Sequence, residues 1–211
     1  FKTVRFDEIT MQRHGINVES FDLSELFEFV RAKADDDAKV LEKKAVLENY
    51  TDFTNVPEDK KIMLSKISVV IDEYIETYHL DAIALRCWNE METYLRVCPC
   101  VLLSELNDRG IVASCEIDMC SAITMRALSL ATQGPAACLD WNNNYGDDPD
   151  KVILFHCGST AQKLMKERPL MSGELLIISM VSIRLRYFLQ KILRLNNFEK
   201  SKGSKKNKWT K

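Results

Sequence analysis

Apolar side chains recur at helical spacing through the first eighty residues. The segment Asp22-Leu-Ser-Glu25 has the spacing of a capping box and predicts the start of a helix. A second helix is predicted over residues 38–50, directly after three aspartates whose charge suits the positive end of a helix dipole. A third should begin after Pro57 and end near His79, which we interpret as a boundary residue. Residues 1–80 are therefore expected to form a helical segment.

The pattern changes to short apolar runs of strand length from residue 81 onward. Helices are expected between the first three runs, over 92–107, where Pro99 would bend or break the helix, and over 119–132. Gly110 and Gly134 stand where these helices should stop. The four predicted strands are 81–87 (DAIALRC), 111–116 (IVASCE), 136–140 (AACLD) and 151–155 (KVILF).

Alternating strands and helices predict an α/β fold with a mainly parallel sheet and crossover helices. The segment 142–150 (NNNYGDDPD) is rich in turn residues and is expected to be a polar loop. The expected architecture is thus a helical N-terminal segment, then a mainly parallel sheet, then a divergent basic tail.

Charge is distributed unevenly along a chain whose formal net charge is −2. Residues 166–211 carry 12 lysines and arginines against 3 acidic residues, whereas residues 1–165 carry 17 against 28. This balance argues against a nucleic-acid partner, which would need a strongly basic body. The longest nearly apolar run, 175–183, is far shorter than the ~20 residues that span a bilayer, so no membrane span is expected.

The chain has seven cysteines among 211 residues. An odd number in a chain of this length favours reduced thiols and a cytoplasmic protein over a disulfide scaffold. Cys98-Pro99-Cys100 and the Cys115/Cys120 pair lack the spacing of a structural zinc site. Free cysteines commonly pack as small apolar side chains.

Polar side chains follow each predicted strand at the point where it ends. Glu116 ends the second strand, Asp140 ends the third, and His156 follows the fourth. Ligands of open α/β sheets bind beyond the carboxyl ends of the strands. Two carboxylates and an imidazole suit a divalent cation such as Mn²⁺ or Mg²⁺. Further candidates for contacts with substrate hydroxyl groups are Trp88, Asn89, Glu90, Trp141 and Asn142. The two tryptophans could equally cap the core.

Four stretches carry a resemblance to a known family. They are CWNEME (87–92), VCPCVLLSELNDRG (97–110), CEIDMCSAITMRALSLATQGPAACLDW (115–141) and NNNYGDDPDKVILFHCG (142–158). Together they resemble the L-fucose isomerase-like family, within the L-fucose/L-arabinose isomerase superfamily. The resemblance implies interconversion of an aldose and a ketose through an enediol on a bound divalent metal, usually manganese.

The resemblance also implies roles for individual residues. Glu116 and Asp140 are similar to the two carboxylates that bind the metal and serve as the catalytic acid/base pair. His156 stands where related arabinose isomerases place a metal-binding histidine. The implied partners are a monosaccharide substrate and, in the intact family member, further copies of the same chain as a homo-oligomer.

The chain departs from the family after about residue 165, where family members continue into a β-rich domain with a further metal-binding histidine. We therefore expect three segments: 1–80, joining from a missing N-terminal domain; 81–158, the isomerase-like core; and 159–211, an apolar and then basic tail. Residues 166–211 are expected to pack poorly on the body, with the last twelve residues disordered. The chain is expected to be a truncated fragment with little or no turnover alone. Two alternatives remain: a non-catalytic remnant that binds sugar or metal, and an interaction protein that uses its basic tail.

Overall fold

The computed structural model describes residues 4–156, 159–166, 170–172 and 184–186. The chain divides into two units, the first comprising Phe1–Cys138 and Cys157–Tyr187 and the second comprising Leu139–His156 and Phe188–Lys211. The first unit combines helices with a small parallel sheet, and the second contains a β-ribbon. A mixed helix-and-sheet structure agrees with the predicted α/β class. The division into three segments at residues 80 and 158 stays a prediction.

Seven α-helices lie in the described part of the first unit, besides a short 3-10 helix at Gln162–Leu164, and side-chain caps define several of their starts. The carboxylates of Asp7, Asp22, Asp37 and Asp118 each accept backbone N–H groups of a following helical turn. Such caps satisfy donors that have no partner inside the helix. The helices are α1 (Glu8–Arg13), α2 (Leu23–Ala32), α3 (Ala38–Tyr50), α4 (Glu58–Tyr78), α5 (Glu90–Tyr94), α6 (Cys100–Arg109) and α7 (Met119–Thr132).

Helix boundaries predicted from the sequence are largely confirmed. Pro57 precedes α4, and His79 ends it in the left-handed conformation with φ 51°. Pro99 separates α5 from α6, which confirms the predicted break. Gly110 ends α6 with φ 89°, a conformation that glycine adopts without steric cost. Helix α7 has the predicted bounds, 119–132, although Gln133 and not Gly134 takes the left-handed position at its end.

Strands β1 (Ala82–Leu85) and β2 (Val112–Cys115) form a parallel pair with Leu85 opposite Cys115. Both strands therefore end at the same edge of the sheet. Helices α6 and α7 flank β2 along the chain, as expected for crossover connections. The core of this unit is built from fully buried aliphatic side chains of α4 and α6, including Leu64, Ile67, Val70, Leu102, Leu103 and Leu106.

Two predictions made from the sequence are wrong in the second unit. Strand β3 runs over Asp140–Tyr145 and not over 136–140, and it pairs with β4 (Asp148–Phe155) in antiparallel fashion. The predicted polar loop is thus a hairpin, turned by Gly146 and Asp147 with φ 56° at the glycine. Turn residues mark loops and hairpin turns alike, and the alanines before residue 140 have weak strand preference. Among the described residues, only β1 and β2 pair in parallel.

The start of the tail belongs to the first unit and contributes to its core. Met171 in β5 (Leu170–Ser172) is fully buried in the core, and its N–H donates to the carbonyl of Asp52 at 2.9 Å. At this residue the expectation of poor packing is wrong. Strand β5 pairs with β6 (Arg184–Arg186). Residues 167–169, 173–183 and 187–211 of the tail lie outside the described residues, and so does the expected disorder of the last twelve residues. Within the described part of the chain, no helix is both long and apolar enough to cross a membrane.

Candidate functional site

A cavity of about 190 Å³ lies where β1 and β2 end, in the first unit. The carboxyl edge of a parallel sheet is the usual place for ligands in folds of this class. Two carboxylates, one indole and four thiols line the cavity: Cys87, Trp88, Glu92, Cys98, Cys100, Cys115 and Glu116. Of the predicted site residues, Glu116 and Trp88 are thus brought to one cavity.

Glu116 follows the last residue of β2 and has a strained backbone. Its φ is 58°, and the next residue, Ile117, has φ 60°. A positive φ is uncommon for any residue with a Cβ and is a genuine outlier for a β-branched one. The Ile117 N–H donates to the carbonyl of Leu85 at 3.2 Å, so the turn is tied to the end of β1. Such strain clusters at functional sites and marks Glu116 as a candidate.

Asp118 holds the other side of this turn. Its carboxylate accepts the Ser121 N–H at 2.9 Å and the Ser121 hydroxyl at 2.6 Å, which caps α7. Its carbonyl accepts the Ser114 hydroxyl at 2.8 Å. Residues on both sides of Glu116 are therefore fixed, and they position its half-buried side chain at the cavity.

The loop after β1 supplies three predicted site residues. Trp88 lines the cavity and is 47% exposed, so it does not act only as a cap on the core. Asn89 has φ 67°, and its carbonyl accepts the Thr93 N–H in the first turn of α5. Glu90 is held by Arg86 through two hydrogen bonds, at 2.6 Å and 3.0 Å. A role for Asn89 or Glu90 in substrate binding stays a prediction.

Glu92 lines the cavity but was not selected from the sequence. The segment CWNEME contains two glutamates, and nothing in their spacing shows which one turns inward before the short helix α5 is known. The structure turns Glu90 toward Arg86 and Glu92 toward the cavity. Glu92 and Glu116 are therefore the two carboxylates of this cavity.

Four cysteines of the cavity form two close thiol pairs. The Sγ atoms of Cys87 and Cys115 lie 2.9 Å apart, and those of Cys98 and Cys100 lie 3.2 Å apart. All four side chains are buried, and the six described cysteines are reduced. Their packing role agrees with the sequence interpretation, but their arrangement in two pairs around a cavity was not foreseen.

The remaining predicted residues lie in the second unit. Asp140 begins β3 opposite Phe155, the last residue of β4, and His156 follows directly. Asp140 and His156 are thus at the same end of the ribbon. Trp141 is 68% exposed, and Asn142 belongs to β3. A shared site of Glu116, Asp140 and His156 stays a prediction.

Glu116, Asp140 and His156 offer two carboxylates and an imidazole as possible ligands for a divalent cation. Carboxylate oxygens and an imidazole nitrogen are ligands that Mn²⁺ accepts. Among the described residues of either unit, no three histidine, cysteine, aspartate or glutamate side chains come together as one ion would require. The donor types therefore fit the expected metal, but neither unit forms a full ligand set from its own described residues.

The known proteins that are similar to this chain are named as enzymes of one class, the sugar isomerases. No protein-family model matches the chain. Sulfoquinovose isomerase from Priestia aryabhattai is 33% identical over 100 residues, which cover 47% of this chain and 22% of that protein. The protein of the same name from Alkalicoccus urumqiensis is 27% identical over 153 residues, covering 72% of this chain and 34% of that protein.

The chain thus spans about a fifth to a third of the length of the relatives that it matches. These relatives are sugar isomerases by name, the class that the sequence resemblance implied. The particular family, L-fucose isomerase-like, stays a prediction.

Proposed function

We propose that this chain is part of an aldose–ketose sugar isomerase. The observation that carries the proposal is the position of Glu116, on a strained turn at the carboxyl edge of β1 and β2, opening on a cavity. The similarity to proteins named sulfoquinovose isomerase supports the same class. A carboxylate fixed in this way can move a proton between carbon and oxygen atoms of a bound sugar.

In this proposal Glu116 removes the proton from the carbon next to the sugar carbonyl, and Asp140 is its acid/base partner. An enediol route needs one group that accepts a proton from the sugar and one that donates a proton to it. Two carboxyl groups can share this work when one is ionised and the other is protonated. The fixed turn around Glu116 contributes orientation, because Asp118 and Leu85 hold the backbone on either side.

The proposed cofactor is Mn²⁺, with Mg²⁺ as the alternative. Glu116, Asp140 and His156 would hold it. When bound, such an ion polarises a carbonyl oxygen and stabilises negative charge that develops on it.

The proposed substrate is a monosaccharide, and the name of the relatives makes sulfoquinovose the first sugar to test. Trp88 would place an aromatic face against the sugar, while Asn89, Glu90, Trp141 and Asn142 would contact its hydroxyl groups. A cytoplasmic location and a homo-oligomeric parent protein belong to the same proposal.

Exchange of the substrate proton tests the proposal directly. Residues 1–211 would be incubated in D₂O with Mn²⁺ and a panel of sulfoquinovose, pentoses and 6-deoxyhexoses, and deuterium at C2 followed by NMR. An enediol route incorporates solvent deuterium even where net turnover is slow. We expect incorporation with at least one sugar and at least a 100-fold loss in Glu116→Gln or Asp140→Asn.

Matched controls separate chemistry from folding. Glu76 is exposed on α4 and Asp147 is exposed in the hairpin turn, so Glu76→Gln and Asp147→Asn should leave exchange unchanged. Sugar binding without exchange would favour the non-catalytic remnant. Exchange that survives both Glu116→Gln and Asp140→Asn would contradict the assignment of these two residues.

A further inference from the structure

The thiols of Cys87 and Cys115 meet across the ends of two neighbouring strands. Cys87 lies two residues beyond the end of β1, and Cys115 is the last residue of β2. Their Sγ atoms, 2.9 Å apart, are separated by roughly 0.9 Å more than the ~2.05 Å of a disulfide bond. A small side-chain movement is enough to join them.

We propose that Cys87 and Cys115 form an oxidisable pair, which a hydroperoxide converts into a disulfide across the carboxyl edge of β1 and β2. The proposal does not depend on isomerase activity. The two side chains are only 4% and 6% exposed, but both line the cavity. The cavity is partly open to solvent, and one of its lining residues, Trp88, is half-exposed, so a small oxidant such as hydrogen peroxide has access to it.

The other thiol pair is a poorer candidate for a disulfide. Cys98 and Cys100 are separated by a single residue, Pro99, and Cys100 is the first residue of α6. A bond between them would close a very small ring through a proline and would distort the start of the helix. Cys87 and Cys115 are 28 residues apart in sequence, and their bond would close a loop without that constraint.

The chemistry balances with one hydroperoxide. The thiolate of one cysteine attacks the peroxide, the O–O bond breaks, and with hydrogen peroxide a sulfenic acid and one water form. The second thiol then attacks the sulfenic sulfur, the S–S bond forms, and a second water leaves. Two thiols lose two electrons in all, and the peroxide gains them. An added dithiol such as dithiothreitol reduces the bond back to two thiols by exchange and is itself oxidised to a disulfide.

The bond would act on the cavity because of its neighbours. Trp88 follows Cys87, and Glu116 follows Cys115 in the strained turn. A covalent link between the two cysteines therefore joins the backbone on both sides of the cavity. It fixes the spacing between Trp88 and Glu116, which both line the cavity. Reversible disulfides of this kind are the usual ones in reducing compartments.

Peptide mapping of residues 1–211 tests the proposal. The reduced protein would be treated with hydrogen peroxide, blocked with an alkylating reagent and digested with trypsin without reduction. Cys87 lies on the tryptic peptide 87–96, Cys115 on 110–126, and the Cys98/Cys100 pair on 97–109. We expect a linked species of 87–96 with 110–126 that disappears on treatment with dithiothreitol.

Cys120 supplies the matched control, because it shares peptide 110–126 with Cys115 but is exposed. Cleavage after Glu116 separates the two cysteines and identifies the linked one in the unmodified protein, so the result does not depend on a variant that folds. Cys120→Ser should keep the link and Cys115→Ser should lose it. Linkage through Cys120, a bond within 97–109, or oxidation of Cys87 without any link would overturn the proposal.

Discussion

The side-chain amide of Asn107 in α6 makes two hydrogen bonds to a single strand residue, Ala113. Its Oδ1 accepts the Ala113 N–H at 3.0 Å, and its Nδ2 donates to the Ala113 carbonyl at 2.9 Å. The two hydrogens of Nδ2 are shared between that carbonyl and the carbonyls of Leu103, at 2.8 Å, and Ser159, at 3.3 Å. The buried Asn107 side chain therefore pairs with the backbone N–H and carbonyl of Ala113 in β2 as a neighbouring strand would. It also links Ser159 to α6.

We expect Asn107→Ala to lower the free energy of unfolding by roughly 2–4 kcal/mol. The variant leaves the N–H and carbonyl of Ala113 buried without these partners, and an unsatisfied buried group costs more than a lost surface hydrogen bond. Urea unfolding measures the change.

Asn17→Ala is the control for Asn107→Ala, because Asn17 is exposed and should tolerate the change within about 0.5 kcal/mol. Equal midpoints for the two variants would show that the Asn107 network contributes little.

The Asn107 contacts also show where prediction from the sequence ends. Helix starts and stops at Asp22, Pro57, Pro99 and Gly110 are local signals and were readable. The partner of Asn107 is set by the packing of α6 on β2, which no local pattern encodes. The antiparallel direction of β3 and β4 could not be predicted from the sequence either. The turn residues around Gly146 fit a loop or a hairpin turn equally well, and only the pairing of the two strands shows that they form a hairpin.

Glu105 gives a prediction about pH. Its carboxylate is 4% exposed and lies 2.8 Å from Arg109, while its Oε2 atom has no hydrogen-bond partner. Burial raises the pKa of Glu105 above its ordinary value of 4.5, with a smaller raising effect of Asp72, against the lowering effects of Arg109 and Lys43. Between pH 4.5 and the raised pKa of Glu105, the folded protein holds a proton that the unfolded chain has largely released, so this group lowers stability as pH rises through that window.

Glu105→Gln removes that titration and keeps an acceptor for Arg109. The unmodified protein should lose stability through Glu105 as pH rises from 4.5, and the variant should not. We therefore expect the free energy of unfolding of the variant minus that of the unmodified protein to become more positive over this range. Urea unfolding at a series of pH values measures this difference, with the exposed Glu76→Gln variant as control. A difference that stays constant from about pH 4.5 to about pH 8 would refute the effect of burial on Glu105.

Backbone strain beside Glu116 gives a further prediction. Ile117 is β-branched with φ 60° and is 40% exposed, so glycine at this position relieves strain with modest loss of packing. We expect Ile117→Gly to raise the free energy of unfolding by about 1 kcal/mol. Val46 in α3 has a similar exposure, 42%, but helical geometry, so Val46→Gly should lower it by about 1 kcal/mol. Destabilisation of the same size by both variants would mean that no strain is stored at Ile117.

The candidate site was readable only in part. Glu116 and Trp88, which line the cavity, were selected because strand ends in an α/β pattern mark one edge of a sheet, and their roles stay predictions. Glu92 was missed because the turn of a five-residue helix decides which glutamate of CWNEME faces the cavity. The thiol pairs were missed because cysteine is common in cores, and only the fold shows that Cys87 and Cys115 meet.

The proposed metal gives the last prediction, which can be measured without turnover. If Asp140 and His156 help to hold Mn²⁺, the ion must stabilise the folded chain, by about 1.4 kcal/mol at a concentration ten times its dissociation constant. Thermal unfolding of residues 1–211 with MnCl₂ should therefore show a rise in Tm that Asp140→Asn and His156→Gln reduce and that a chelator reverses. Asp147→Asn, in the turn of the same ribbon, should keep the full rise, since Asp147 lies at the opposite end from Asp140. An equal rise in Asp140→Asn and in the unmodified protein would remove Asp140 from the ligand set, whatever the outcome of the sugar-exchange experiment.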